Sequence, residues 1–294
     1  MGVAIPVTAK VNVVTTTEDL AAMARAIGGE VVEVISLSRG YQDPHFIEAK
    51  PSHLVKLNKA ELFIQIGLEL EIAWVPPLLT NARNGRINSG GEGFLETFEG
   101  CEIVDRPTGR VDRSQGDVHP QGNPHYWVDP ENGRMMARAI AAKLKALRPG
   151  DSAGIEERLK VFERELSERL MRWQDWLKPY HGSKIVTYHR SWSNWAKRFG
   201  LEVVDFIEPK PGIPPSAAHI EQLIRTLSQR GVKVIVMEPY FDRKLPEKIS
   251  RETGVPLIVV SPSVGGFPEI KTYFDVFEVG LRKLVEAMEK KGSP

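Results

Sequence analysis

The residues of this chain best suited to hold an ion are its seven histidines, His45, His53, His119, His125, His181, His189 and His219. Three fall in loops that an alternating strand-and-helix fold would present along one edge. His45 ends Gly40-Tyr41-Gln42-Asp43-Pro44-His45, His125 opens the run His125-Tyr126-Trp127-Val128-Asp129-Pro130 after Asn123-Pro124, and His189 directly follows Val186-Thr187-Tyr188. Neutral imidazole is the commonest metal ligand, and three converging rings make a borderline-soft nitrogen site suited to zinc. Spacing leaves the plainer alternative open, because loop histidines are usually solvated and Pro-His can simply mark a turn. None of them stands at helical ligand spacing from another. His53 and His219 fall inside predicted helices and read as packing residues, and His181 lies in a turn beside Gly182. His119 reads as a solvated loop residue, the alternative being an auxiliary ligand that captures metal and passes it inward. There is no G-x-S-x-G elbow, Walker loop or H-E-x-x-H helix.

The element that must position these loops is the stretch 152–178. Ile155, Leu159, Phe162, Leu166, Leu170, Trp173 and Leu177 recur at steps of four and three, one apolar face of a helix. Charged residues fill the other face, Asp151 or Ser152 can cap the start, and Pro179 stops the end. At about 1.5 Å per residue such a helix runs roughly 40 Å, enough to cross a domain. On both sides of it short β-branched runs alternate with amphipathic stretches. Strands are predicted at 11–16, 31–37, 62–66 and 102–105 before the helix, and at 184–188, 202–206, 232–237 and 256–260 after it. The stretch 69–84 reads as mostly helical, broken or restarted at Pro76-Pro77, and 106–124 as an exposed, mobile loop. The predicted fold is α/β: two lobes, each a mostly parallel sheet flanked by helices, joined by one long spine helix. The division is 1–151 for the first metal-binding lobe, 152–178 for the spine and 179–294 for the second lobe. In open sheets of this kind ligands sit outside the carboxyl ends of the strands.

Composition narrows the partners. The 294 residues are 41% hydrophobic and 26% charged, and 39 Lys and Arg balance 38 Asp and Glu for a formal charge of +1. No basic stripe argues for nucleic acid or an anionic membrane. The single cysteine, Cys101, excludes an internal disulfide and a thiolate-rich site within one chain. No apolar run reaches membrane-spanning length and no secretory signal is present, so the protein is either cytosolic or a mature form whose export signal was removed.

Four motifs in order carry a family likeness: Asp43-Pro44-His45 before a Pro51-Ser52 helix start, Pro124-His125-Tyr126-Trp127-Val128-Asp129-Pro130, Tyr188-His189 followed by Phe199-Gly200-Leu201, and Glu238-Pro239-Tyr240-Phe241. With the spine between them, the chain resembles the zinc- and manganese-binding solute-binding proteins of ABC importers over nearly its whole length. The resemblance implies metal in the cleft between two lobes, with His45, His125 and His189 as nitrogen ligands. It often supplies a fourth, an aspartate from the last loop of the second lobe. Here that loop reads Val259-Val260-Ser261-Pro262-Ser263, with no carboxylate. Glu208, opening the proline-rich Glu208-Pro209-Lys210-Pro211, is the first candidate for the vacant place, water the second and Glu238 the third.

Three imidazoles and at most one carboxylate favour Zn(II) over the oxygen-preferring Mn(II). The expected function is a non-catalytic, monomeric, periplasmic or cell-surface receptor that captures Zn(II) and delivers it to the membrane permease of an ABC importer. Two rivals are a three-histidine zinc hydrolase with an open water position and Glu208 as base, and a metal-free receptor for an organic chelate.

Overall fold

The computed structural model of the protein describes residues 9–109, 116 and 118–290. The first half contains β1 (Val11–Thr15), α1 (Glu18–Gly28), β2 (Val32–Ser36), α2 (Pro51–Lys59), β3 (Leu62–Gln65), α3 (Val75–Ala82), β4 (Phe94–Glu96) and α4 (Pro130–Leu147). Then comes the long α5 (Ser152–Leu177). The second half contains β5 (Lys184–Thr187), α6 (Ser193–Arg198), β6 (Glu202–Phe206), α7 (Ala217–Gln229), β7 (Val234–Met237), α8 (Lys244–Thr253), β8 (Leu257–Val259) and α9 (Tyr273–Lys290). All strand pairings are parallel, in the orders β2-β1-β3-β4 and β6-β5-β7-β8. The two lobes thus share one topology, and both sheets are covered by helices as parallel strands require.

Two expectations are corrected. The fourth strand of the first sheet is β4, where Phe94, Leu95 and Glu96 pair with Phe63, Ile64 and Gln65. Residues 102–105 form no strand, because the backbone N–H of Glu102 donates to the Asn132 side chain at 2.7 Å and its carbonyl accepts from Asn132 at 3.0 Å. The stretch 69–74 consists of turns, and the helix begins only at Val75, with the two prolines in its first turn where missing N–H groups cost nothing. Part of the loop expected at 106–124 lies outside the described residues.

α5 spans 26 residues, and all seven of its predicted apolar positions are buried. Each such side chain taken from water contributes about 1.5–3 kcal/mol. Pairs on the other face, such as Arg169 with Glu165 at 2.7 Å, add only about 0.3–0.5 kcal/mol each. Burial, not surface charge, therefore fixes the helix. One apolar cluster runs from Val11 and Leu62 of the first lobe through α5 to Ile185, Val234 and Phe277 of the second.

Side-chain bonds also cross between the lobes. Trp127 Nε1 donates to the Pro262 carbonyl at 2.9 Å, and Tyr273 Oη donates to the Trp127 carbonyl at 2.5 Å. Val264 N donates to Asp19 Oδ1 at 3.0 Å, and Arg198 grips Asp129 through two nitrogens at 2.7 and 2.8 Å. Gly40 and Gly133 allow the close approach: a Cβ would lie 1.9 Å from the Val264 carbonyl oxygen at Gly40, and 2.3 Å from Tyr273 Oη at Gly133.

Candidate metal centre

His45 and His125 are held by the same local device. In Asp43-Pro44-His45 the aspartate Oδ1 accepts from the His45 backbone N–H at 3.0 Å and lies 2.8 Å from its ring Nδ1. In Asn123-Pro124-His125 the asparagine Oδ1 does the same at 2.9 Å to both. The intervening proline limits φ, and the short Asx side chain turns back on its own backbone. Asn123 is oriented by its other end, where Nδ2 donates to Asp105 Oδ2 at 2.9 Å and to the Arg190 carbonyl at 2.7 Å. Trp74 Nε1 adds a bond to the Pro44 carbonyl at 2.9 Å, fixing the His45 loop from behind.

His189 is oriented over a longer range. It lies two residues past β5, and its Nδ1 is 2.9 Å from Oε1 of Glu208, two residues past β6. The same carboxylate oxygen accepts from Gly212 N at 2.9 Å, inside the proline-rich loop.

Every one of the three Nδ1 atoms thus faces an oxygen that can only accept, so each carries the proton and leaves the Nε2 lone pair free. The rings face one another with centroids 4.9 Å apart for His45 and His125, 5.2 Å for His125 and His189, and 5.5 Å for His45 and His189. One ligand atom from each lies within 4.8 Å of the others, the one such group of metal-binding type among the described residues. The three residues are 2–7% exposed. Nε2 of His45 and of His125 are buried with no hydrogen-bond partner. Buried, unpaired nitrogens are costly, and an ion that accepts their lone pairs removes the cost.

The electrostatics favour neutral rings at His125 and His189. Burial, then the neighbouring imidazoles, hold His125 well below the ordinary histidine range. Burial also lowers His189, against its opposing hydrogen bond to the Glu208 carboxylate. Burial would raise Asp43, but its hydrogen bond and attraction to His45 outweigh this and keep it below the usual carboxylate value. No proton has to leave His125 or His189 before a cation enters at neutral pH.

The other sequence-level candidates fall elsewhere. Glu208 is not among the clustered ligand atoms; it stands behind His189. Glu238 is fully buried with both oxygens unpaired, and burial pushes its carboxyl up to about 8. The Ser261-Pro262-Ser263 segment is engaged in the lobe contact, its Pro262 carbonyl accepting from Trp127 Nε1 at 2.9 Å. His53 accepts from Lys50 N, His219 bonds the Phe206 carbonyl, and His181 is exposed. His119 differs from expectation. Its ring stacks on His45 with centroids 5.7 Å apart, its Nε2 is buried and unpaired, and burial followed by the charges of His45 and His189 pushes it down to about 3. It belongs to the wall of the site. Nothing in its polar, proline-rich surroundings in the sequence signalled this. The repeated Asx-Pro-His tripeptide, by contrast, was a signal for the turns that aim His45 and His125.

Two lobes on one spine, with buried imidazoles facing each other across the cleft, define a metal-binding substrate-binding protein of the ABC-importer type. Residues 13–287 match the family described as the periplasmic zinc-uptake complex component A (ZnuA), and the chain belongs to that family. Its members are receptors, not enzymes. Among curated relatives, the manganese ABC transporter substrate-binding lipoprotein PsaA of Streptococcus mitis is 24% identical over 289 residues, covering 96% of this chain and 90% of its own. The zinc-binding lipoprotein AdcA of Streptococcus pneumoniae (strain ATCC BAA-255 / R6) is 23% identical over 288 residues, covering 96% and 57%. In three dimensions a crystal structure of ZnuA superposes with a TM-score of 0.77 at 24% identity, over 95% of this chain and 99% of that one. A manganese-bound periplasmic metal-binding protein from Candidatus Liberibacter asiaticus gives 0.77 at 18% identity with the same coverage. These likenesses support the fold. Among the described residues no helix is long and apolar enough to cross a membrane.

Proposed function

We propose that this chain is the extracytoplasmic zinc receptor of an ABC importer, taking one Zn(II) onto His45, His125 and His189 and passing it to a membrane permease. The observation that carries the choice of metal is the donor set. Three imidazoles, each with its Nδ1 tied to an oxygen, offer three nitrogens and no carboxylate, a set that suits zinc better than manganese. Relatives named for either metal leave this chemistry to decide. Glu208 serves the ion through His189 in this reading, and the fourth position is filled from solution. With Glu208 so engaged, the hydrolase rival lacks the free base it needs beside a metal-bound water. Release relies on small tilts of the lobes, since α5 runs unbroken between them and the core is continuous across it.

The test is elemental analysis after dialysis against trace zinc and manganese together. The expected result is about one zinc per chain and little manganese. His125→Ala is expected to lose tight binding. Unchanged zinc content in that variant, or preferential uptake of manganese, contradicts the proposal.

A further inference from the structure

Beside the three rings lies a cavity of about 260 Å³, walled by His119, His125, His189, Asn123, Asp105 and Arg190 with several prolines. Its size suits a small molecule of few heavy atoms rather than a drug-sized ligand. Arg190 is the unusual member. Its guanidinium lies over the Phe206 ring at 4.4 Å, and one terminal nitrogen reaches the Pro209 carbonyl at 3.5 Å. Its Nε is buried with no hydrogen-bond partner, and among the described residues no carboxylate stands within ion-pair distance of it. A fixed cation with an idle N–H is thus set immediately after a ligand histidine, next to a site built for a second cation.

Two positive charges so placed repel each other in a poorly solvated cleft unless an anion lies between them. Among the described residues the carboxylates around the cleft are each already engaged, Asp43 by the backbone N–H and ring of His45. The second-lobe loop that faces the first lobe carries serines, and its Pro262 carbonyl is already bonded by Trp127. Glu208 is bonded to His189 and Gly212. Asp105 lines the cavity, but its Oδ2 accepts from Asn123. Its negative charge also disfavours a multiply charged guest.

We infer that the cavity is a subsite for a small, singly charged carboxylate-type oxyanion, which completes the coordination of the cleft metal through one oxygen and binds the Nε–H of Arg190 through another. Guanidinium groups recognise such planar anions through paired hydrogen bonds. The inference rests on the metal-receptor reading above and makes the captured species a metal–anion pair. Acetate and bicarbonate share the required chemistry and stand for its organic and inorganic sources.

The experiment uses the full chain loaded with Co(II), whose visible absorption reports the number and kind of its ligands. Acetate and, separately, bicarbonate are titrated at fixed pH and ionic strength into wild type and Arg190→Gln, at metal concentrations that load both. The expected result is a saturable spectral change in wild type that needs at least about tenfold more anion in the variant, the equivalent of one charged hydrogen bond. The anion with the lower half-saturation and the larger dependence on Arg190 identifies the source. Should Arg190→Gln fail to fold, Arg190→Lys replaces it, with weaker anion binding than wild type expected because the charge remains and the fork is lost. Equal half-saturation in wild type and variant, or no spectral response to either anion, overturns the subsite. A wild-type chain that takes up no cobalt in anion-free buffer overturns the metal-receptor reading itself.

Discussion

Nδ1 of His189 and Oε1 of Glu208 lie 2.9 Å apart, although the residues are separated by 19 positions in the chain. The contact follows from strand register. Thr187 pairs with Phe206 in the parallel β5–β6 ladder, so the residues two beyond each strand end emerge side by side. Removing such an oxygen frees the ring to rotate and to change tautomer, which costs about 10–100-fold in metal affinity. Glu208→Ala is expected to weaken zinc by that amount in a chelator competition. Glu208→Gln, which keeps an acceptor for the ring but not its charge, is expected to lose less. Equal losses in both variants would show that the hydrogen bond is not what matters.

Asp19 predicts a pH dependence of stability. Burial pushes its carboxyl from 3.8 up to about 7, against the hydrogen bond from Val264. The folded chain therefore holds this proton more tightly than the unfolded one. The resulting stabilisation is complete below the unfolded value and is lost as pH rises through about 7. Asp19→Asn removes the titration. The stability of wild type relative to the variant is thus expected to decline from pH 5 to pH 8 in thermal unfolding, and a constant difference would refute the assignment. The histidines act with the opposite sign. His125 and His189 have lowered values and His119 lies at about 3, so metal-free protein of either form loses stability as pH falls below 6.5. That common loss cancels in the comparison.

Gly40 tests the contact between the lobes. A methyl group there would meet the Val264 carbonyl oxygen at 1.9 Å and Gly266 N at 2.7 Å, both backbone atoms of the other lobe. Gly40→Ala is expected to destabilise the chain by about 1–3 kcal/mol, the usual cost of overpacking, and to weaken zinc binding by wedging the cleft. Gly85, where an added Cβ meets nothing within 4 Å, provides the control. Gly85→Ala is expected to stay within about 0.5 kcal/mol of wild type. Parity of the two variants in melting temperature would remove the lobe contact from the account.

Zinc itself is expected to stabilise the fold by mass action. At a free concentration a hundredfold above Kd the gain is about 2.7 kcal/mol, read as a rise in melting temperature that a chelator reverses. The rise is expected to vanish in His45→Ala and His189→Ala. A persistent shift in either would place the ion elsewhere.

Much of this architecture is legible in the residues. The spacing of Ile155, Leu159, Phe162 and Leu166 announces α5 because a helix buries every third or fourth position whatever its surroundings. β4 is harder to read. Phe94-Leu95-Glu96 is too short for alternation to register, and its edge position depends on a partner, β3, that lies far off in the chain. Asp43 and Asn123 act on histidines two residues away, so their roles are local and readable from Asx-Pro-His. Glu208 is brought beside His189 by the pairing of β5 with β6. His119 is half-buried, its ring stacked on that of His45. Both depend on tertiary neighbours that no single-chain pattern reveals.

The apolar face of α5 is sunk along its length into material contributed by both halves of the molecule. Each half has a smaller apolar cluster of its own, but the largest one is shared, so neither keeps its full interior when the other is taken away. Excised fragments are therefore expected to precipitate rather than persist as independent units, and a calorimeter will record one endotherm for the intact chain.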